Sequence, residues 1–503
     1  MQPIERHLHQ ADSVVDGGDL DCGGGLLLLI RRSIDPLPRG GLLEVRSTET
    51  SVDVELPAWC RLTENELVSW TRTERQRSFL VCKGSLDERR VAPSAPPVRA
   101  RGATATAAAP ALSARAVPRV EALSVTGIGS WPRPRWMVQA MHEYLEGRLS
   151  EGEFQTTADD AVHLALAAQT RAGADILTDG EQRRDSYVSF VGTRLENCQL
   201  VPLTDLLPMV DEPEKLAREF ASLDVPADQV RHPVLLGRLA RTQPIAGHEF
   251  AFAAAHTELP IKVALPGPYL LSRILWLECL SEKAYTSREE LARDIVSVLR
   301  EELHDLLARG AAIVQFDEPV LTEVVFGAEK HGTSFMCGAL SERGAPGPEL
   351  DFAAELLQAV VAGAPRERLA VHVCRGNWTP DEGAALSGDY APLVGYLSRA
   401  RVGTAFLELC TPRAGDLEVL RKLPDELRVG VGVVNQKDTR IESVDEVLAR
   451  ARRAIGVFGR ERVLLVPDCG FATFADNPVA SAQVAEAKLS AIAQAARKLR
   501  ERD

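Results

Sequence analysis

The chain has 503 residues, a formal net charge of −13 and 45% hydrophobic residues. That length allows more than one domain, and the apolar share supports a sizeable core. The acidic balance speaks against a nucleic-acid partner, which requires a basic face. No apolar run approaches the ~18 residues of a membrane span, so no membrane association is expected. The N-terminus MQPIERHLHQ has no basic patch followed by an apolar stretch, so no export signal is expected. The nine cysteines are then read as mostly reduced thiols of a cytoplasmic protein.

The first unit spans residues 12–86. VVDGGDLDCGGGLLLLIRRSID (14–35) reads as strand, tight turn and helix start. LLEVRSTET (42–50) is a strand, DVELPAWCRLTENELVSWTRT (53–73) runs from helix to strand, and SFLVCKG (78–84) closes as a strand. The order βαβαββ predicts a small α+β two-layer sandwich. Cys22 opens the first helix, where free N–H groups and the helix dipole are expected to lower a thiol pKa. Residues 87–120 are rich in Ala, Pro and Arg without apolar periodicity, and read as a flexible linker.

From 121 to 503 the pattern is continuous α/β. Strand-like apolar runs occur at 124–130, 174–180, 261–268, 311–319, 368–376, 404–410, 427–436 and 461–470. Between them lie helical patterns such as TADDAVHLALAAQTRAG (157–173) and SVDEVLARARRAIGVFG (443–459), apolar at 3–4 residue spacing. Eight apolar strands alternating with helices predict a parallel (β/α)8 TIM barrel. An open doubly wound sheet is the alternative. Residues 191–260 exceed one crossover and are read as an insertion.

Most of these runs end on a reactive residue: Ser130, Glu181, Asp317, His372 and Cys374, Glu408, Cys469. In a barrel those ends share one face, where βα loops build the active site. His372 and Cys374 alternate along one strand, so both side chains point the same way. With Glu408 and Cys469 they make a donor set suited to tetrahedral zinc, and thiolates disfavour magnesium or calcium. For Asp317 and Glu318 the competing reading is a pair of acids at a helix N-terminus.

The motifs TGIGSWP (126–132), DGEQRRDSY (179–187), VQFDEPVL (314–321), HVC (372–374), FLELC (406–410) and PDCG (467–470) together resemble the catalytic domain of cobalamin-independent methionine synthase and its short single-barrel relatives. The resemblance implies zinc held by His372, Cys374, Glu408 and Cys469. It implies an amino-acid thiol such as homocysteine held by Ser130, Glu181 and Asp317. The implied activity is transfer of a methyl or alkyl group to a zinc-activated thiol, with folate or a methyl-corrinoid as the donor. The loop GVVNQKDTR (432–440) lacks the histidine that the folate enzymes carry there, and Lys437 is its candidate replacement as acid or anion contact. VCRGNW (373–378) looks more like the short forms, some of which resemble epoxide:thiol transferases. Arg375 is a candidate contact for an anionic group, or else an arginine paired with an acid at the rim.

The first unit resembles the TusA/SirA sulfur carriers. Cys22 aligns with their persulfide cysteine and Cys60 with a later one, although CGGG (22–25) lacks both prolines of their Cys-Pro-x-Pro motif. That implies a persulfide carrier able to serve the barrel or a sulfur-relay protein. The linker's root-mean-square span of roughly 25–30 Å would let Cys22 reach the barrel mouth. Two alternatives remain open: carbon–sulfur bond formation or cleavage coupled to the carrier, and a non-enzymatic adaptor that binds thiols or zinc.

Overall fold

The structure is a computed structural model. It describes residues 3–73, 76–91, 117, 119–202, 204, 230–276, 284–327, 344–377, 381–475 and 479–501. Most of the expected linker, 92–116 and 118, lies outside the described residues, while Leu86–Val91 is helical.

In the N-terminal unit the strands are β1 (Ser13–Asp16), β2 (Leu42–Ser47), β3 (Glu66–Arg72) and β4 (Arg77–Cys82). They form one sheet in the order β1-β2-β4-β3, with β1 and β2 parallel and the other pairs antiparallel. A single wide turn, Cys22–Leu26, leads into the helix Leu27–Ile34, and a second helix covers Val52–Leu62. Leu26, Ile30 and Ile34 recur every fourth residue, so they share one helix face. They pack in one buried cluster with Leu56, Trp59 and Cys60 and with Leu43, Val45, Phe79 and Val81 of the sheet. Leu42, Leu80 and Cys82 alternate with those strand positions and form a separate cluster.

In the larger part an antiparallel pair comes first: β5 (Leu195–Pro202) with β6 (Arg231–Arg241). This pair lies within the expected insertion. Six parallel strands then run in sequence order: β7 (Lys262–Pro266), β8 (Ile313–Asp317), β9 (Leu369–Val373), β10 (Thr404–Leu407), β11 (Arg428–Val434) and β12 (Val463–Pro467). Every residue of β7, β8, β9, β10 and β12 is buried, as expected for parallel strands covered on both faces. Helical segments separate these strands; two 22-residue helices are Glu151–Ala172, which precedes β5, and Arg288–Arg309, between β7 and β8. Ser150 and Glu153 form a capping box at the start of the first, and Gly173 ends it in a left-handed conformation.

The runs 124–130 and 174–180, expected as full strands, make only isolated parallel bridges: Val125 with Leu465, Thr126 with Ile176, and Leu177 with Ile261. Side chains take up part of the backbone hydrogen bonding there. Asp175 Oδ2 accepts from the Val125 N–H at 2.7 Å, and Thr178 Oγ1 donates to the Gly129 carbonyl at 2.7 Å. The bridges still run from β12 through both segments to β7. Among the described residues, no helix is long and apolar enough to cross a membrane.

Candidate metal and thiol site

His372 sits on β9, in register between Asp317 of β8 and Phe406 of β10. Its Nδ1 lies 3.2 Å from the Phe406 carbonyl and its Nε2 lies 3.4 Å from the Cys469 sulfur. With Nδ1–H donating to the carbonyl, the Nε2 lone pair is left for a metal, a common outer arrangement of metal-bound histidine. Cys374 follows two residues later, and Cys469 follows the end of β12. The ligand atoms of His372, Cys374 and Cys469 all lie within 4.8 Å of one another, and all three residues are buried.

The three groups share their protons. A hydrogen bond from Cys469 and one from His372 hold the Cys374 thiol well below its ordinary pKa. The same contact with Cys374, with burial, drives Cys469 up. Burial would lower His372, but the Cys374 thiolate raises it. A metal takes the place of such protons when it binds.

Glu408 stands beside this trio but outside it. Its Oε1 accepts from the Arg375 backbone N–H at 3.1 Å. Its Oε2 is buried without a hydrogen-bond partner among the described residues, with Arg413 Nη2 at 3.6 Å. Burial, then the charges of Cys374 and Asp468, push its carboxyl well above the usual range. One imidazole nitrogen, two sulfurs and an orphaned carboxylate oxygen fit zinc in number and type. The structure groups three of the four expected ligands tightly and leaves the fourth adjacent.

Ser130, Glu181 and Asp317 line the same cavity as His372, Cys374 and Cys469. The Glu181 backbone is left-handed, with φ 54°. It is held there by Arg133, which donates to the Glu181 carbonyl at 2.6 Å, and by the Asp179 carboxylate, which accepts from the Glu181 N–H at 3.0 Å. Gly129 leaves the room for this side chain: a Cβ there would lie 2.1 Å from Glu181 Oε1 and force the carboxylate to shift. Burial pushes Glu181 up to about 7, against the pull of Arg184. Asp317 is also raised by burial, and Gln315 donates to its Oδ1 at 2.7 Å.

The two acids of DEP separate. Glu318 turns away and accepts from the Tyr269 and Leu270 N–H groups at 2.9 Å each, capping the helix Pro268–Ile274. The helix-terminus reading therefore applies to Glu318, while Asp317 faces the cavity.

Arg375 does not reach the rim. It is fully buried, with its guanidinium 4.3 Å over the Tyr390 ring and 5.6 Å from the Phe326 ring. Pairing with an acid at the rim is thus excluded. Lys437 is buried and lowered to about 8, chiefly by desolvation, and its Nζ lies 3.4 Å from the Asp381 carbonyl. In the N-terminal unit the expectation for Cys22 is reversed. Its thiol is raised by burial first and then by Glu55, which also accepts from the Cys22 N–H at 3.2 Å. The carboxylate occupies the helix N-terminus and cancels the dipole's help.

Three contributors were given no role from the sequence. Lys262 is buried in β7 and donates to the Ile128 carbonyl and to Gln315 Oε1, both at 2.6 Å. Desolvation lowers it to about 7, against Asp317 and Glu181. A lysine inside the apolar run IKVALP was the available signal. Asp468 accepts from the Leu409 and Cys410 N–H groups at 2.9 Å each, tying the turn after Glu408 to the turn bearing Cys469. Arg413 gave no signal in the sequence.

The larger part of the chain matches a known family. The family described as "Cobalamin-independent synthase, Catalytic domain" matches residues 123–497. A methionine synthase of Sulfurisphaera tokodaii is 27% identical over 351 residues, covering 69% of this chain and 86% of its own. One from Saccharolobus solfataricus is 26% identical over 350 residues, covering 69% and 88%. Among solved structures, a B12-independent methionine synthase from a Shewanella species, in complex with selenomethionine, matches with TM-score 0.56 and 24% identity. It covers 76% of this chain and 98% of that one. A putative vitamin-B12-independent methionine synthase from Listeria monocytogenes matches with TM-score 0.53 and 16% identity, covering 76% and 99%. Both structures speak to the fold alone. With the family's pattern matching well over half of its length, this chain belongs to the cobalamin-independent synthase catalytic-domain family.

Proposed function

We propose that this protein transfers a methyl or alkyl group to the thiol of a homocysteine-like amino acid, using zinc held by His372, Cys374, Cys469 and Glu408. The observation that carries the reading is the shared cavity: the tight His–Cys–Cys trio and the acids Glu181 and Asp317 line one space. Zinc bound there would hold the substrate sulfur as a thiolate near neutral pH, where a free thiol with pKa ~8.5 is mostly protonated.

The chain's own groups do the rest. Glu181 and Asp317 supply the negative charge for an ammonium group, and the Ser130 turn supplies polar contacts for a carboxylate. Lys262, whose charge acts on both Asp317 and Glu181, offsets part of the repulsion between the two acids. The barrel reading extends the fold: the bridges through Val125, Thr126, Ile176 and Leu177 would close β7–β12 into a (β/α)8 ring. The relatives' names favour homocysteine as the thiol. The donor stays a folate or a methyl-corrinoid, since loop 435–440 offers Lys437 and no histidine.

For the N-terminal unit we retain the sulfur-carrier reading as a two-layer TusA/SirA-like sandwich. It is supported by its βαβαββ order and by Cys22 at the start of the first helical run. Cys22→Ser should abolish sulfur transfer from a persulfide donor while zinc content stays unchanged. Unchanged transfer would remove the carrier role.

The deciding experiment for the barrel is zinc stoichiometry of the wild type and Cys469→Ser, with zinc-edge X-ray absorption before and after homocysteine. One zinc per chain, lost in the variant, with an added sulfur neighbour on homocysteine addition is the expected result. No zinc, or a metal shell that ignores the thiol, would overturn the reading.

A further inference from the structure

Arg413 lies between two carboxylates. Its Nη2 is 3.6 Å from Glu408 Oε2, and its Nη1 pairs with Glu382. The Arg413 side chain is 9% exposed, whereas Glu382 is 46% exposed at its outer side. Glu382 also accepts from Asn435 Nδ2, and the preceding Asp381 carbonyl accepts from Lys437 Nζ at 3.4 Å. Three βα loops therefore meet here: a guanidinium and an amide contact the Glu382 carboxylate, and the Lys437 ammonium contacts the backbone carbonyl just before it.

The arrangement is incomplete as it stands. Arg413 Nε and Nη2 are buried without hydrogen-bond partners among the described residues. Leaving such donors unpaired is costly, and a guanidinium fork matches a carboxylate with two parallel N–H bonds. Glu382 engages only Nη1 of that fork. The charge of Arg413 also disfavours the Lys437 cation. An anion between them would offset that repulsion; Glu408 Oε2 lies 3.6 Å from Arg413 Nη2.

We propose that Arg413, Asn435 and Lys437 bind the carboxylate of an anionic alkyl donor, in the place that Glu382 fills in the ligand-free chain. The proposal rests on the thiol-alkylation reading and adds the donor's chemical class to it. Glu382 acts as an internal stand-in that the donor displaces, so the site opens only to a partner that binds better than a single tethered carboxylate.

The test uses fluorine NMR on the full chain, zinc-free and zinc-loaded, with trifluoroacetate as probe and trifluoroacetamide as its neutral counterpart. Wild type should broaden the carboxylate resonance and leave the amide sharp. Glu382→Gln should tighten trifluoroacetate binding several-fold, and Arg413→Gln should weaken it at least tenfold. If Arg413→Gln does not fold, Lys437→Gln carries the same readout. Acetate should displace the probe more strongly than inorganic phosphate. Equal response to carboxylate and amide, no gain in Glu382→Gln, or phosphate as the stronger competitor would each overturn the proposal. Homocysteine entry into the zinc shell is read on a separate sample. Its survival alongside failed anion binding would refute the donor site alone, and loss of both would refute the parent reading.

Discussion

The Nε2 of His372 lies 3.4 Å from the sulfur of Cys469, a residue 97 positions later in the chain. Neither residue is held by its local sequence. The contact exists because β9 and β12 deliver their C-terminal ends to the same face, and because the Phe406 carbonyl orients the imidazole. Replacing either residue should therefore remove metal without unfolding the protein, whose core is built from strands and helices remote from the trio. Zinc affinity of His372→Ala should fall by more than the ~10–100-fold typical of losing an outer contact alone. Competition with a chromogenic chelator measures it, with far-UV circular dichroism and melting temperature expected to stay near wild type.

Glu181 gives the proposed amino-acid site a pH signature. Its carboxyl is raised to about 7 by burial, so it is largely protonated below that pH and ionised above it. An ammonium group prefers the ionised form, so binding of an amino acid should strengthen as pH rises through about 7 and release a proton in the process. Methionine is the suitable probe, because its thioether adds no titration of its own. Calorimetry in buffers of different ionisation enthalpy should detect the proton. Glu181→Gln should flatten the profile and weaken binding by roughly 10–100-fold, the range of a lost charge-assisted hydrogen bond. A profile unchanged in the variant would exclude Glu181 from the site.

Gly432 leaves the room in which Asp468 works. A Cβ at position 432 would lie 1.9 Å from Asp468 Oδ1 and 2.9 Å from its Cα. Gly432→Ala must therefore displace the carboxylate that binds the Leu409 and Cys410 N–H groups. A loss of about 1–3 kcal/mol in stability is expected from overpacking, read by urea unfolding. Zinc affinity should fall as well, because Glu408 and Cys469 flank the displaced contact. Asp468→Asn keeps the shape and one acceptor oxygen, and should keep the metal.

Cys22 should be a slow nucleophile despite standing at the start of a helical run. Its thiol is raised by burial and by the Glu55 carboxylate. Alkylation by iodoacetamide at neutral pH, followed by mass spectrometry, should run at least ~10-fold slower than for an unperturbed thiol. Glu55→Gln should accelerate it by removing the adjacent charge. A fast wild-type reaction would mean that Glu55 leaves the helix start in solution.

Alternation and periodicity along the sequence expose much of this protein. Apolar runs ending in reactive residues marked β7–β12, and their ends carried Asp317, His372, Cys374, Glu408 and Cys469. The runs 124–130 and 174–180 carry strand-like spacing but make only isolated bridges, because side chains such as Asp175 and Thr178 take over backbone hydrogen bonds that a ladder would have made. That substitution has no signature in apolar spacing. Arg413 went unnoticed for a similar reason: an arginine in a loop carries no pattern, and its meaning depends on which carboxylates the fold sets beside it.

The sequence by itself determined the types of most elements, β7–β12 among them, and the donor residues at strand ends, because these depend on local propensity and on spacing along the chain. Tertiary structure alone decided which of those donors meet. It set His372, Cys374 and Cys469 together and left Glu408 adjacent. It sent Asp317 to the cavity and Glu318 to a helix cap, and it placed Glu55 where it reverses the charge environment of Cys22. Each of these outcomes depends on distances of a few ångströms between residues far apart in the chain, and on the cost of burying charge there, which local sequence does not encode.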